Sequence, residues 1–273
     1  MEVMEQFKNY LIQEEKSELT VEKYLRDVRR FLSWLGDAEL NKSGVLDYKS
    51  KLMEKYAVVS VNSILSSINS YLDFIGRADC KVKTIKQQRR AFLPEEKELS
   101  KAEYERLLKA AEGKPRLCLL MQTICSTGIR VSEHRFITVE AARAGYAEVR
   151  LKGKNRMVFL PKKLCKILLR YAREQKITHG SIFVTASGKP LNRCNIWAEM
   201  KKLCHTAGVS REKVFPHNLR HLFARTYYSL EKDIVRLADI LGHSSVNTTR
   251  IYTMESGEIH RRQIERMKLI LTT

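Results

Sequence analysis

The feature that most constrains this chain is an apolar stripe of helical period that occurs twice within its first eighty residues. Val21, Tyr24, Leu25, Val28, Phe31, Leu32 and Leu35 recur every three or four positions, and Val61, Ile64, Leu65, Ile68, Tyr71, Leu72 and Ile75 repeat the spacing. That period puts each set on one face of an α-helix, and such a face must be covered by another apolar surface. Met4, Phe7 and Leu11 make a shorter stripe, and Thr20 is placed to cap the second helix. Stripes able to cover one another predict a small four-helix domain over residues 1–80.

From Lys81 the pattern lapses. KVKTIKQQRR carries five basic residues (Lys81, Lys83, Lys86, Arg89 and Arg90) and no acidic one. AFLPEEKELS follows without a clear period, and then Ser100 and Glu103 stand at the spacing of a capping box that opens a new helix. A basic linker over 81–99 follows, with a second domain over 100–273. A basic run is ordinarily a solvated face. Here it joins two domains of a chain with 50 Lys plus Arg against 31 Asp plus Glu, a formal net charge of +19, so contact with DNA phosphates competes with the solvated reading. A balance this basic predicts a polyanionic partner, nucleic acid first.

Other classes fall away. No apolar run approaches the ~18 residues of a membrane span, and the opening MEVMEQFKNY lacks the basic-then-apolar order of a signal peptide. A cytoplasmic protein without membrane contact is expected. Cys80, Cys118, Cys125, Cys165, Cys194 and Cys204 form no CxxC pair, so they read as free thiols and no metal site is expected.

The second half is mixed. Helices are expected at 100–112, 115–127, 131–137, 162–174, 192–207, 217–229, 232–241 and near 257–270. YAEVRL and RMVFLP read as strands around the turn KGKN, and SIFVT (181–185) as a third. The fold class is therefore mainly α, with a small β-sheet in the second domain.

Four islands in that domain carry chemistry: TGIRVSE with Arg130 and Glu133, LKGKNRMVFLP with Lys152 and Lys154, PHNLRH with His217 and Arg220, and LGHSSVNTTRIYT with His243 and Tyr252. Cleaving a phosphodiester requires charge opposite the non-bridging oxygens of a pentacoordinate phosphorus. Arginine suits this, being always charged and forked to match two oxygens. His217 and Arg220, three apart, face the same way on a helix. A tyrosine hydroxyl has a pKa near ~10 and is about 0.1% ionised at neutral pH, so as a nucleophile it needs a base and positive surroundings. The departing 5′ oxygen needs a proton, which a lysine on a hairpin tip can give.

Taken together and in this order, the islands resemble the tyrosine recombinase (phage integrase) family, nearest to its compact Xer-like and transposon-integrase members. The resemblance implies that Arg130 and Arg220 hold the scissile phosphate and that Tyr252 attacks it. It implies that Lys152 protonates the leaving oxygen, His217 assists proton transfer, His243 bonds a phosphate oxygen and Glu133 supports Arg130. It also implies a 3′-phosphotyrosyl intermediate, a Holliday junction and a SAM-like core-binding domain ahead of the catalytic one. The partners implied are double-stranded DNA with short inverted core sites and further copies of the chain, as a tetramer on DNA. No cofactor is needed, because phosphoester bonds are conserved in number, and no GxxxxGK[ST] motif occurs.

The chain departs from the family at His134 and Arg135, where apolar residues are usual, and its hairpin is one residue short, so Lys154 competes with Lys152. Near the end, Ile259, Ile264, Met267, Ile270 and Leu271 can line a helix that either folds back or docks on a neighbour. The alternatives are a type IB topoisomerase-like activity and an inactive DNA-binding regulator on the same fold.

Overall fold

The apolar stripes become helices that pack on one another. In the computed structural model, which describes residues 2–86, 98–151, 154–243, 245–252 and 265–267, α1 (Glu2–Gln13), α2 (Glu18–Leu35), α3 (Lys42–Lys55) and α4 (Val58–Phe74) build the first of two units, Met1–Arg89. Phe7, Val28, Phe31, Leu65 and Leu72 are each 0% exposed at its centre. Burying side chains of this size stabilises by about 1.5–3 kcal/mol each. One polar clip crosses the core: Asp27 is met by Lys23 Nζ at 2.7 Å and by Ser67 Oγ at 3.0 Å, so the buried carboxylate is both paired and hydrogen-bonded. The helix cap differs from expectation. α2 starts at Glu18 with Ser17 before it, and Thr20 lies inside the first turn, its Oγ1 2.8 Å from Ser17 Oγ. A capping residue must precede the first helical one with extended backbone; Ser17 holds that position at φ −62°, ψ 149°, but its side chain caps no backbone N–H.

Residues 81–86 lie against α3 and α4. Val82 is buried in the core, Asn69 exchanges two hydrogen bonds with its backbone, Asn62 does the same with Ile85, and Lys49 reaches the Lys83 carbonyl at 2.8 Å.

The second unit, Arg90–Thr273, begins its described part with the Ser100–Glu103 capping box and α5 (Lys101–Ala110). Its centre is α6 (Pro115–Thr127), opened by a proline, which needs no N–H there, and closed by Gly128. A 3-10 turn (Val131–Phe136) and α7 (Val139–Ala144) lead into β1 (Tyr146–Leu151) and β2 (Lys154–Phe159), antiparallel with Tyr146 opposite Phe159 and Leu151 opposite Lys154. Ala147, Val149 and Val158 face the core, in the period-two alternation of a half-buried sheet. After α8 (Lys162–Glu174) come α9 (Arg193–Lys201), α10 (Cys204–Ala207), α11 (Pro216–Glu231), α12 (Ile234–Leu241) and α13 (Val246–Thr249), then a 3-10 turn at Arg250–Tyr252.

Two expectations are corrected. SIFVT forms only isolated bridges, Thr138 with Ser181 and Val184 with Pro190, and no third strand. Its consecutive Ile182 and Phe183 are both 0% exposed, a burial on both sides that no half-exposed edge strand has. The span 192–207 breaks between Lys201 and Cys204 into two helices. His134 takes an apolar slot: it is 4% exposed, packed edge-on to Phe183, with Nδ1 2.5 Å from the Val131 carbonyl. The helix near 257–270 lies outside the described residues except for Glu265–Met267, which are exposed.

Candidate active site

The site is assembled where four chain segments end. Gly128 stops α6 in the left-handed conformation (φ 66°), and a Cβ there would run into the Phe223 ring, so the position requires glycine for both backbone and space. The chain then emerges extended at Arg130, φ −72°, ψ 150°. Glu133, 1% exposed, turns back to accept from the Arg130 backbone N–H at 2.7 Å and from its Nη1 at 3.0 Å. The same carboxylate accepts from Arg156 Nη2. Two guanidiniums thus neutralise one buried carboxylate, and the second of them, through Nη1, also holds the Ile240 carbonyl at 2.7 Å. Burial lowers the Arg156 pKa, and Glu133 opposes that shift.

On α11, Arg220 is 1% exposed. Its Nη1 donates to the Gly128 carbonyl at 2.6 Å and its Nη2 to the Leu241 carbonyl at 2.7 Å, so it laces the ends of α6 and α12 together. Burial, and then the charge of Arg130, bring its pKa down to about 10, with the Tyr252 oxygen opposing, and it remains a cation at neutral pH. His217 is exposed at the N-terminal end of the same helix. Crowding by protein atoms first, then the charges of Arg220 and Arg130, lower its pKa. Because the ring is solvent-accessible, the two arginines are the firmer cause.

Gly242 ends α12 at φ 65°, and a Cβ there would strike the Arg156 side chain. His243 follows. Its Nε2 is 2.9 Å from Arg220 Nη2 and its Nδ1 is 2.8 Å from Thr249 Oγ1. Burial and the charges of Arg220, Arg130 and Arg156 press its pKa down to about 4. Tyr252, 4% exposed, lies with its ring 5.9 Å from that of His243, nearly parallel at 18°. His221 touches both of its neighbours, with ring centroids 4.5 Å from His217 and 4.7 Å from Tyr252. Burial, then His217 and the arginines, lower its pKa to about 3. A cavity of about 850 Å³ opens on this wall, lined by Ile129, Arg130, Trp197, Phe215, His217 and Arg220 among others.

Of the residues singled out in the sequence, Arg130, Glu133, His217, Arg220, His243 and Tyr252 are gathered here. Lys152 lies outside the described residues, as do Arg89 and Arg90. Lys154 pairs by its backbone with Leu151. Lys81 is bridged to Asp73 at 2.8 Å in the first unit, and Lys83 and Lys86 are exposed there. Sequence reasoning missed Arg156, His221 and Thr249. Strand alternation carried a signal for the first, since Arg156 falls on the face of Val158 and Leu160, where a charge demands a partner. His221 is four residues after His217 and shares its helix face. Nothing local marks Thr249.

A family model described as the phage integrase family matches residues 97–258, and one described as the phage integrase N-terminal SAM-like domain matches residues 4–79. Tyrosine recombinase XerA of Thermococcus kodakarensis is 31% identical over 98% of this chain and 96% of its own length. The fold is similar to that of XerH recombinase bound to its difH substrate (TM-score 0.72, 20% identity, 92% of this chain, 80% of that one). It is also similar to that of lambda integrase in a tetramer on a Holliday junction (TM-score 0.74, 18% identity, 92% and 76%). The chain belongs to the phage integrase family and is a tyrosine site-specific recombinase. Neither alternative, relaxing topoisomerase or inactive regulator, is favoured by these relatives.

Proposed function

We propose that this chain binds short inverted core sites in double-stranded DNA and exchanges strands there, with Tyr252 as the nucleophile. The observation that carries the reading is the grouping of one buried tyrosine with Arg220, His243, His221 and Arg130 at the ends of four segments far apart in sequence. Arg130 and Arg220 hold the non-bridging oxygens of the scissile phosphate, Arg130 kept in place by Glu133. The Tyr252 oxygen attacks phosphorus, its proton leaving toward His217, with the weakly basic His221 ring lying between the two. The bond to the 5′ oxygen breaks as that oxygen takes a proton from Lys152. A 3′-phosphotyrosyl link and a free 5′ hydroxyl result, and the matching hydroxyl of a second duplex reverses the step through a Holliday junction. One phosphoester forms for each one broken, so no energy source is required.

The first unit serves as the core-binding domain, with residues 81–86 of the basic stretch packed on it, the rest of the stretch up to 99 as the linker crossing the DNA backbone, and 100–273 as the catalytic domain. Four copies on two duplexes form the working assembly, in keeping with the lambda integrase tetramer.

The test uses a duplex site recovered by binding selection from random sequences, nicked near the cleavage point so that covalent complexes accumulate. Wild type should give a slow band on a denaturing gel with EDTA present. Tyr252→Phe should bind the site equally and give none. A band from the Phe variant would remove Tyr252 as nucleophile.

A further inference from the structure

Both ring nitrogens of His243 are engaged, and the partners differ in kind. Arg220 Nη2 lies 2.9 Å from Nε2, and Thr249 Oγ1 lies 2.8 Å from Nδ1. A guanidinium only donates. Nε2 must therefore present its lone pair, and the ring proton belongs on Nδ1, where the Thr249 hydroxyl accepts it. Protonation of both nitrogens would set two donors against each other at Nε2. Thr249 is 0% exposed, so no solvent molecule replaces its hydroxyl. It sits three residues before Tyr252, in the short helix that runs into the turn carrying the nucleophile.

We propose that Thr249 is a positioning residue for strand cleavage. It accepts the Nδ1 proton that Arg220 imposes on His243 and so holds the ring in place, with Nε2 on the Arg220 guanidinium in the orientation the scissile phosphate meets, and it ties that histidine to the segment bearing Tyr252. In the DNA-free protein Nε2 of His243 thus accepts from Arg220 and has no proton to give a phosphate, whereas the family resemblance gives it a direct donor role. The consequence for cleavage rests on the recombinase reading; the tautomer itself does not.

Full-length, DNA-free protein with ¹⁵N-labelled histidine is the sample. In long-range proton–nitrogen correlation spectra at neutral pH, the signal that disappears in His243→Gln should show a protonated Nδ1 and an unprotonated Nε2. Thr249→Val removes the acceptor and keeps the shape. It should keep the Nδ1–H tautomer that Arg220 imposes but lose the downfield shift of the hydrogen-bonded Nδ1 proton, and cleave the nicked site about tenfold more slowly, the scale of a small misplacement at a reacting centre. Thr249→Ser should restore both. A protonated Nε2 in wild type overturns the proposal, as does a Val variant that cleaves within about threefold of wild type. Should the Val variant not fold, the wild-type spectrum still decides the tautomer. A wild type that never forms a covalent complex would defeat the recombinase reading and leave the tautomer result standing.

Discussion

The two units bury different things. The first, among its described residues, encloses Phe7, Val28, Phe31, Leu65 and their neighbours, with Asp27 and Ser67 as its buried polar groups. The second encloses a comparable apolar core, but at one corner it also buries Glu133, Arg220 and Thr249. The first unit's contacts are made by stripes that each helix carries within itself. The corner depends on bonds between distant parts of the chain: Arg220 to Gly128, Arg156 to Ile240, Arg130 to Gly242. An apolar core loses stability in proportion to the volume removed, while a buried polar cluster fails by leaving partners unmatched. The second kind of site can do chemistry because its charges are already held in place and partly desolvated.

That contrast is broken most severely with a pair of variants. Phe31→Ala should cost about 3–5 kcal/mol of the first unit's stability in denaturant titration. Arg220→Ala orphans the Gly128 and Leu241 carbonyls, at about 1–3 kcal/mol each, and should also lower covalent-complex formation by roughly 10²–10³. Arg130, with its side chain 41% exposed, separates the two effects. Arg130→Ala should lose cleavage on the same scale with little change in stability, because Arg156 still pairs with Glu133. An Arg130→Ala protein as unstable as Arg220→Ala would erase the distinction between holding the fold and holding the phosphate.

How far each unit was legible in the sequence follows from the same difference. The helices at 115–127 and 162–174 are found where the apolar period, the proline and the glycine place them. Residues whose type alone suits phosphate chemistry, such as Arg220 and Tyr252, stood out in their motifs. What stayed hidden was the partner network. Arg156 looks like one more basic residue on a basic hairpin until α12 is seen to end on it, and Thr249 is one of two adjacent threonines until His243 selects it. Thr20 and SIFVT show the local version of the limit. A capping position and a strand both depend on which neighbour arrives: Ser17, not Thr20, precedes α2, and SIFVT meets only single residues, Thr138 and Pro190.

Arg156 gives a sharper and smaller test of that network. Arg156→Met should destabilise by about 3 kcal/mol, since Arg156 is the buried one of the two cations on Glu133 (12% exposed against 41% for Arg130) and its loss also orphans the Ile240 carbonyl, and adding Glu133→Gln should return at least about 1 kcal/mol of the loss by removing the stranded charge. Strict additivity in thermal or denaturant unfolding would mean that the two side chains do not depend on each other.

The smallest expected effect comes from protons, and it again divides the units. Every histidine in the chain lies at or beyond position 134, so the first unit has none. In the second, His221 and His243 have pKa values pressed to about 3 and about 4, and those of His134 and His217 are also lowered. A histidine whose folded pKa lies below its unfolded value binds fewer protons when folded. Its contribution is therefore fully present above about pH 6.5 and is lost as pH falls toward the folded pKa. Between pH 6.5 and 5 the second unit should lose on the order of 1 kcal/mol, allowing for the partial exposure of these rings, while the first stays level. The two tryptophans report the units separately, Trp34 in one and Trp197 in the other. Denaturant unfolding of Trp197→Phe and of Trp34→Phe, followed by the remaining fluorescence across that pH range, reads each curve alone. A second unit as level as the first would mean that the histidine wall is solvated, and a first unit that weakens in step would mean that the two unfold as one.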